Sequence, residues 1–185
     1  MKFLMRERMF SIGEDFWIED ETGQRAFLVD GKALRLRQTF ELKGAEDQVL
    51  AVIKKKIVSV RDTMVVERDG DTVAKVHRKL FSPLRHKMVI ELADGQEWTA
   101  KGDIIEKNYT IESEHGVVAE TSRKWFRIRE SYGIEIDHPD VPLVIAIAVA
   151  VDELAEEARH KEDCSTLGFG AVRAPRRRSL RHGRP

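Results

Sequence analysis

The chain has 185 residues, 42% apolar and 35% charged, which suits one globular domain with a full core and excludes a disordered or collagen-like chain. Its zero net charge is a cancellation. No acid follows Asp163, whereas Arg173, Arg176, Arg177, Arg178, Arg181 and Arg184 do, so a body of about −6 precedes a tail of about +6.

The first ten residues, MKFLMRERMF, place Arg6, Glu7 and Arg8 among the apolar ones and so lack the unbroken stretch of a secretory signal. From residue 15 a unit repeats. DFWIEDETG (15–23), TFELKG (39–44), TMVVERDG (63–70), KMVIELADG (87–95), NYTIESEHG (108–116) and SYGIEIDHP (131–139) share one shape. Each has a large residue, an apolar residue two positions on, usually a Glu, and then a turn. The large residues are Phe16, Phe40, Met64, Met88, Tyr109 and Tyr132, most of them 24 residues apart.

Inside each unit the period is two. ALRLRQTFELK puts Leu34, Leu36, Gln38, Phe40 and Leu42 on one face, and KMVIEL sends Met88, Ile90 and Leu92 one way and Val89 and Glu91 the other. This is the pattern of antiparallel strands with one face buried. Second strands follow the turns at RAFLV (25–29), QVLAVI (48–53), TVAKV (72–76), EWTAK (97–101) and GVVAET (116–121), with hairpin signals at Asp69-Gly70 and Asp94-Gly95. Six such hairpins predict a mainly β fold, a closed antiparallel barrel of about twelve strands. The lumen of so large a barrel is too wide for its own side chains to fill, and something apolar must enter it.

The segment PLVIAIAVAVDELAEEARH (142–160) is that plug. Val141 to Val151 carry no charge, and Asp152 and Glu153 end the run. As a helix these eleven residues span about 16 Å, roughly half a bilayer core, so a membrane span is excluded in favour of a buried helix at about 141–158. Asp140 is placed to cap it, with Pro142 in the first turn. Burying its large apolar side chains contributes on the order of 10 kcal/mol, an upper estimate. The domain is expected to occupy 1–160, with 161–185 a basic, disordered tail.

Three stretches carry a family likeness: MKFLMRERMFSIGEDFWIEDETG with IKKKI, SRKWFRIRESYGIEI, and the apolar helix near the end. Together they resemble the LURP-one-related family, of the tubby-like superfamily. The resemblance covers residues 1 to about 155, and it implies a twelve-stranded barrel around a C-terminal helix. It also implies kinship with the phosphoinositide-binding tubby domain and with phospholipid scramblases, although no residues match the tubby phosphoinositide pocket. Fold follows from such kinship more firmly than function.

Catalytic and metal-binding patterns are missing from the sequence. The six histidines show no His-x-x-x-His spacing, the single Cys164 allows neither Cys-x-x-Cys nor an internal disulfide, and there is no Gly-x-Ser-x-Gly elbow. No enzyme activity, metal or cofactor is expected. Glu19, Glu67, Glu91, Glu112 and Glu135 recur at equivalent repeat positions, which predicts cross-strand pairing with Lys and Arg.

Anion binding has better candidates: Lys54, Lys55 and Lys56, Arg78 and Lys79, Arg123 and Lys124, and Arg176, Arg177 and Arg178 in the tail. The expected protein is a cytoplasmic monomer, peripheral at the membrane, that binds anionic phospholipid head groups or a protein partner. Two alternatives are a scramblase-like or other enzyme activity on phospholipids and nonspecific nucleic-acid association through the arginine tail.

Overall fold

Alternation of inward apolar and outward polar residues folds each repeat into an antiparallel ladder, and the ladders close on themselves. The computed structural model describes residues 1–6, 15–31, 39–56, 62–78, 87–125 and 131–167. In chain order the strands are β1 (Lys2–Arg6), β2 (Phe16–Asp20), β3 (Arg25–Gly31), β4 (Thr39–Gly44), β5 (Val49–Lys55) and β6 (Thr63–Arg68). Then come β7 (Asp71–Arg78), β8 (Lys87–Leu92), β9 (Glu97–Asp103), β10 (Asn108–Ser113), β11 (Gly116–Ser122) and β12 (Ser131–Ile136), followed by one helix, α1 (Val141–Leu167). Neighbours in sequence pair antiparallel, and β1 pairs with both β2 and β12, so no free edge remains.

The repeat maps onto the even-numbered strands. Phe16, Phe40, Met64, Met88, Tyr109 and Tyr132 all point into the barrel and are buried, as are Ile18, Leu42, Val66, Ile90, Ile111 and Ile134 two positions on. In the stretch ALRLRQTFELK, Phe40 and Leu42 face the core as expected, whereas Leu34, Leu36 and Gln38 lie outside the described residues. Val89, expected outside, is buried opposite His77, which is buried too, so this part of the outer face is covered. Twelve strands arise differently from six hairpins, however. The sixth unit supplies β12 and then enters α1, and the N-terminal strand takes the missing place through the register Lys2↔Glu135 to Arg6↔Ser131.

A register shift recurs at one repeat position. The ladders slip by a residue after Ile18, Leu42, Val66 and Ile111, each the second inward residue of its unit. A bulge increases local twist, and four at equivalent places curl the sheet evenly toward closure. The turn Asp69-Gly70 has φ of 51° and 91°, a doubly left-handed turn that matches the strand twist. Outside, three of the five recurrent glutamates pair across strands with lysine as expected, Glu67 with Lys54 at 2.6 Å, Glu112 with Lys101 at 2.6 Å and Glu135 with Lys2 at 3.4 Å, whereas Glu91 lies 3.9 Å from His77.

α1 enters the barrel beside the β6–β7 hairpin and fills it. Asp140 Oδ1 accepts from the Leu143 amide at 3.1 Å, and the Arg68 guanidinium grips the same carboxylate with bonds of 2.6 and 2.7 Å. That guanidinium holds the Asp140 carboxyl below its ordinary pKa. Every residue from Val144 to Val151 is at 0% exposure. Asp140→Ala removes the cap and strands Arg68, and should lower stability by about 1–2 kcal/mol in a urea titration; an unchanged midpoint would mean that the cap contributes nothing.

Burial does not stop at the charged residues: Asp152, Glu153, Leu154 and Ala155 are as deeply buried as the apolar run. The helix is continuous from Val141 to Leu167, because EEARHKED keeps supplying helix formers after the buried part. The tail, 168–185, lies outside the described residues.

Candidate functional site

The two ends of the barrel differ in charge. At the end where α1 enters, the connections are residues 21–24, 45–48, 69–70, 93–96, 114–115 and 137–140. Every one of them carries Asp or Glu, and none carries Lys or Arg. At the opposite end, where α1 leaves, strand ends and described connections present Lys54, Lys55, Lys56, Arg78, Lys87, Arg123 and Lys124, interspersed with Asp15, Asp62, Asp103 and Glu106. The strand ends flanking the acidic turns add Lys2, Arg25 and Arg68 at the entry end. Lys56 and Lys124 are exposed.

This exit end brings together all six described residues of the expected anion site, but not as one patch. β5 and β7 are two strands apart in the ring, which groups Lys54, Lys55, Lys56 and Arg78. β11 is six strands from β5, so Arg123 and Lys124 sit on the far side of the rim. Ion pairs answer several of them: Lys54 with Glu67 at 2.6 Å, Lys55 with Glu157 at 2.5 Å and Arg123 with Glu106 at 2.9 Å. Asp62 lies 3.9 Å from Lys55 and 2.7 Å from Lys161, and the Lys161 ammonium bond chiefly lowers its pKa. Lys79, Arg176, Arg177 and Arg178 lie outside the described residues.

Below this rim, inside the lumen, is a polar cluster that the sequence reading missed. Asp152 of α1 is at 0% exposure and accepts from two tyrosine hydroxyls, Tyr109 at 3.1 Å and Tyr132 in a shorter contact. The Lys107 ammonium lies 3.4 Å from the same carboxylate. Lys107 is itself buried, at the end of the β9–β10 turn, with a left-handed backbone (φ 55°). Such a backbone costs an ordinary residue about 1–2 kcal/mol, and here the charge pair with Asp152 offsets it. Close by, Gly102 has φ 123°, and a Cβ there would meet the Asn108 carbonyl oxygen at 2.7 Å. The tight β9–β10 crossing therefore requires glycine.

Two carboxylates share that lysine. Burial raises the pKa of Asp152, opposed by Lys107 and the tyrosine hydroxyls. Glu153 is pushed up to about 8, first by burial and then by Glu157, Glu156 and Asp152, with Lys107 opposing. At neutral pH Glu153 therefore keeps its proton, next to the contact between Lys107 and Asp152. Burial raises the Tyr109 phenol well above its usual value, so it serves as a hydrogen-bond donor. Buried ion pairs of this kind fix register more than they add stability. Here the contacts tie α1 to β10, β12 and the turn before β10.

No helix among the described residues is long and apolar enough to cross a membrane. The model of the LURP-one-related family matches residues 1–152. The uncharacterized protein YxjI of Bacillus subtilis is 28% identical over 153 residues, covering 82% of this chain and 92% of its own. An X-ray structure of a protein from Arabidopsis thaliana superposes with a TM-score of 0.61 at 16% identity, over 83% of this chain and 91% of that one. At that identity the likeness concerns the fold alone.

Proposed function

The chain belongs to the LURP-one-related family, and from that premise we propose that it is a non-catalytic binding module whose exit end docks on anionic phospholipid head groups. The observation that carries this reading is the opposition of charge between the two ends of one closed barrel. A surface of negative potential attracts the exit end and repels the acidic turns at the other, so approach is oriented as well as favoured. The lumen cannot take a ligand while α1 fills it, so docking uses the outer surface. Each exposed lysine near an anionic leaflet contributes about 1 kcal/mol, giving weak, reversible attachment that salt screens over roughly 8 Å.

Sedimentation with phosphatidylserine/phosphatidylcholine vesicles tests this by comparing two variants of equal net charge. Lys56→Gln with Lys124→Gln removes two exposed charges from the exit end. Gln24→Glu with Ala45→Glu makes the same change at the acidic end, where both residues are exposed. The first pair should weaken binding about ten- to thirtyfold and the second by less than about threefold. Equal losses would reject an oriented interface. Inorganic phosphate at matched ionic strength should compete no better than sodium chloride; selective competition would mean a free-phosphate site instead of a lipid surface.

A further inference from the structure

Along β5 the period of two puts Ala51 and Ile53 toward the lumen, and both are buried. Lys55 continues that face where the strand reaches the rim. Lys54 and Lys56 point the other way. Lys55 therefore meets α1 as the helix leaves the barrel, and α1 packs on β5, β6 and β7. The residue it meets is Glu157, whose two carboxylate oxygens both lie 2.5 Å from the Lys55 ammonium. Lys55 is 31% exposed and Glu157 15%, so the pair sits at the surface boundary and is not part of the core. A second bridge runs in the opposite sense, from Lys161 of the helix to Asp62 beside β6.

We propose that Glu157 is an internal occupant of the basic run: its carboxylate holds the Lys55 ammonium that a lipid phosphate would otherwise engage, and the protein is thereby partly autoinhibited. This inference rests on the head-group reading of the preceding subsection. A carboxylate with two oxygens on one ammonium makes the contacts that two phosphate oxygens would make, so helix and ligand compete for the same donor. Lys54 is answered by Glu67 on the adjacent strand β6, a pair within the barrel wall. Glu157 differs because it is on a separate element. Movement of the last helical turns, without any change in the barrel, uncovers Lys55 between Lys54 and Lys56.

Vesicle sedimentation of the full chain separates this from a simple gain of charge. Glu157→Gln and Glu156→Gln make the same change in net charge one residue apart, and only the first releases Lys55. Glu157→Gln should bind phosphatidylserine vesicles about five- to tenfold more tightly than the unaltered chain, and Glu156→Gln no more than about twofold. Lys55→Met should change binding little by itself, because Lys55 is already occupied, yet it should remove most of the gain when combined with Glu157→Gln. Equal effects of Glu157→Gln and Glu156→Gln would overturn the autoinhibitory contact alone. Absence of binding by every variant would overturn it together with the head-group reading.

Discussion

Lys107→Met should lower the free energy of unfolding by about 3–5 kcal/mol at neutral pH, the range for removing one partner of a buried ion pair. Methionine keeps the length of the side chain and removes its charge, leaving Asp152 in the lumen with two tyrosine hydroxyls and no cation. Hydroxyls alone do not replace the ammonium, so Asp152 must either stay ionised at high cost or take up a proton. The loss should accordingly shrink at acid pH. Removing the whole cluster tests the same physics from the other side. Lys107→Met, Asp152→Leu, Tyr109→Phe and Tyr132→Phe together remove the charge pair and both hydroxyls that bond it, and the combined variant should recover most of the stability that the single substitution loses. Urea titrations of the unaltered, single and fourfold-substituted chains read this out. A single variant within about 1 kcal/mol of the unaltered chain would mean that Lys107 does not hold the helix.

Glu153 makes stability fall with rising pH. In the unfolded chain its carboxyl ionises near 4.5, and in the barrel it holds its proton up to about 8. Between those values the native state binds one proton more than the unfolded state, so each step up in pH disfavours folding. The stabilising contribution is fully present below about pH 4.5 and lost as pH rises through about 8. Over the interval from pH 4.5 to 7 the loss amounts to about 3 kcal/mol. Glu153→Gln keeps the shape and removes the titration. It should melt close to the unaltered chain at pH 5 and about 5–10 °C above it at pH 8. Asp152, whose carboxyl is also raised by burial, adds a slope of the same sign. Asp140 acts in the opposite sense and at lower pH, since Arg68 depresses its carboxyl. Parallel melting curves for Glu153→Gln and the unaltered chain between pH 5 and 8.5 would show that Glu153 is ionised in the fold.

The barrel was legible in the sequence because its repeat imposes two periods at once. A spacing of about 24 residues brings each large inward residue back one hairpin later, and the period of two fixes the face on which it lies. The helix was legible because an apolar run with alanines inside and an aspartate before it has few other places to go. How deeply the first acids of the helix are buried was not legible. Asp152 and Glu153 look like the start of a solvated helix only if every charge is assumed to face water. Units five and six held a clue: tyrosine stands at the inward position where earlier units have Phe or Met, and a buried phenol needs an acceptor. The nearest acceptor in the lumen is a helix acid. The unit spacing also shortens to 21 between Met88 and Tyr109, which marks the β9–β10 turn that delivers Lys107.

The candidate site was only half legible. Strand alternation and connectivity place the basic residues at one end of the barrel, and both can be read without coordinates. Their partners cannot, because Glu157 reaches Lys55 across 102 positions of sequence and Asp62 reaches Lys161 across 99. Only the path of α1 through the lumen brings those pairs together. The division of the rim between β5–β7 and β11 likewise depends on the order of strands around the closed ring.

Whether the barrel or its arginine tail meets the membrane decides the account most directly. The measurement is sedimentation of the full chain with phosphatidylserine vesicles, titrated with salt, beside the same chain carrying Arg176→Gln, Arg177→Gln and Arg178→Gln. Docking by the exit end predicts that the substituted chain keeps most of its binding and loses it over a similar range of salt, with a modestly shallower slope. Complete loss of binding with those three arginines, at a salt concentration where the unaltered chain still binds, would contradict a barrel interface and leave attachment to the tail alone.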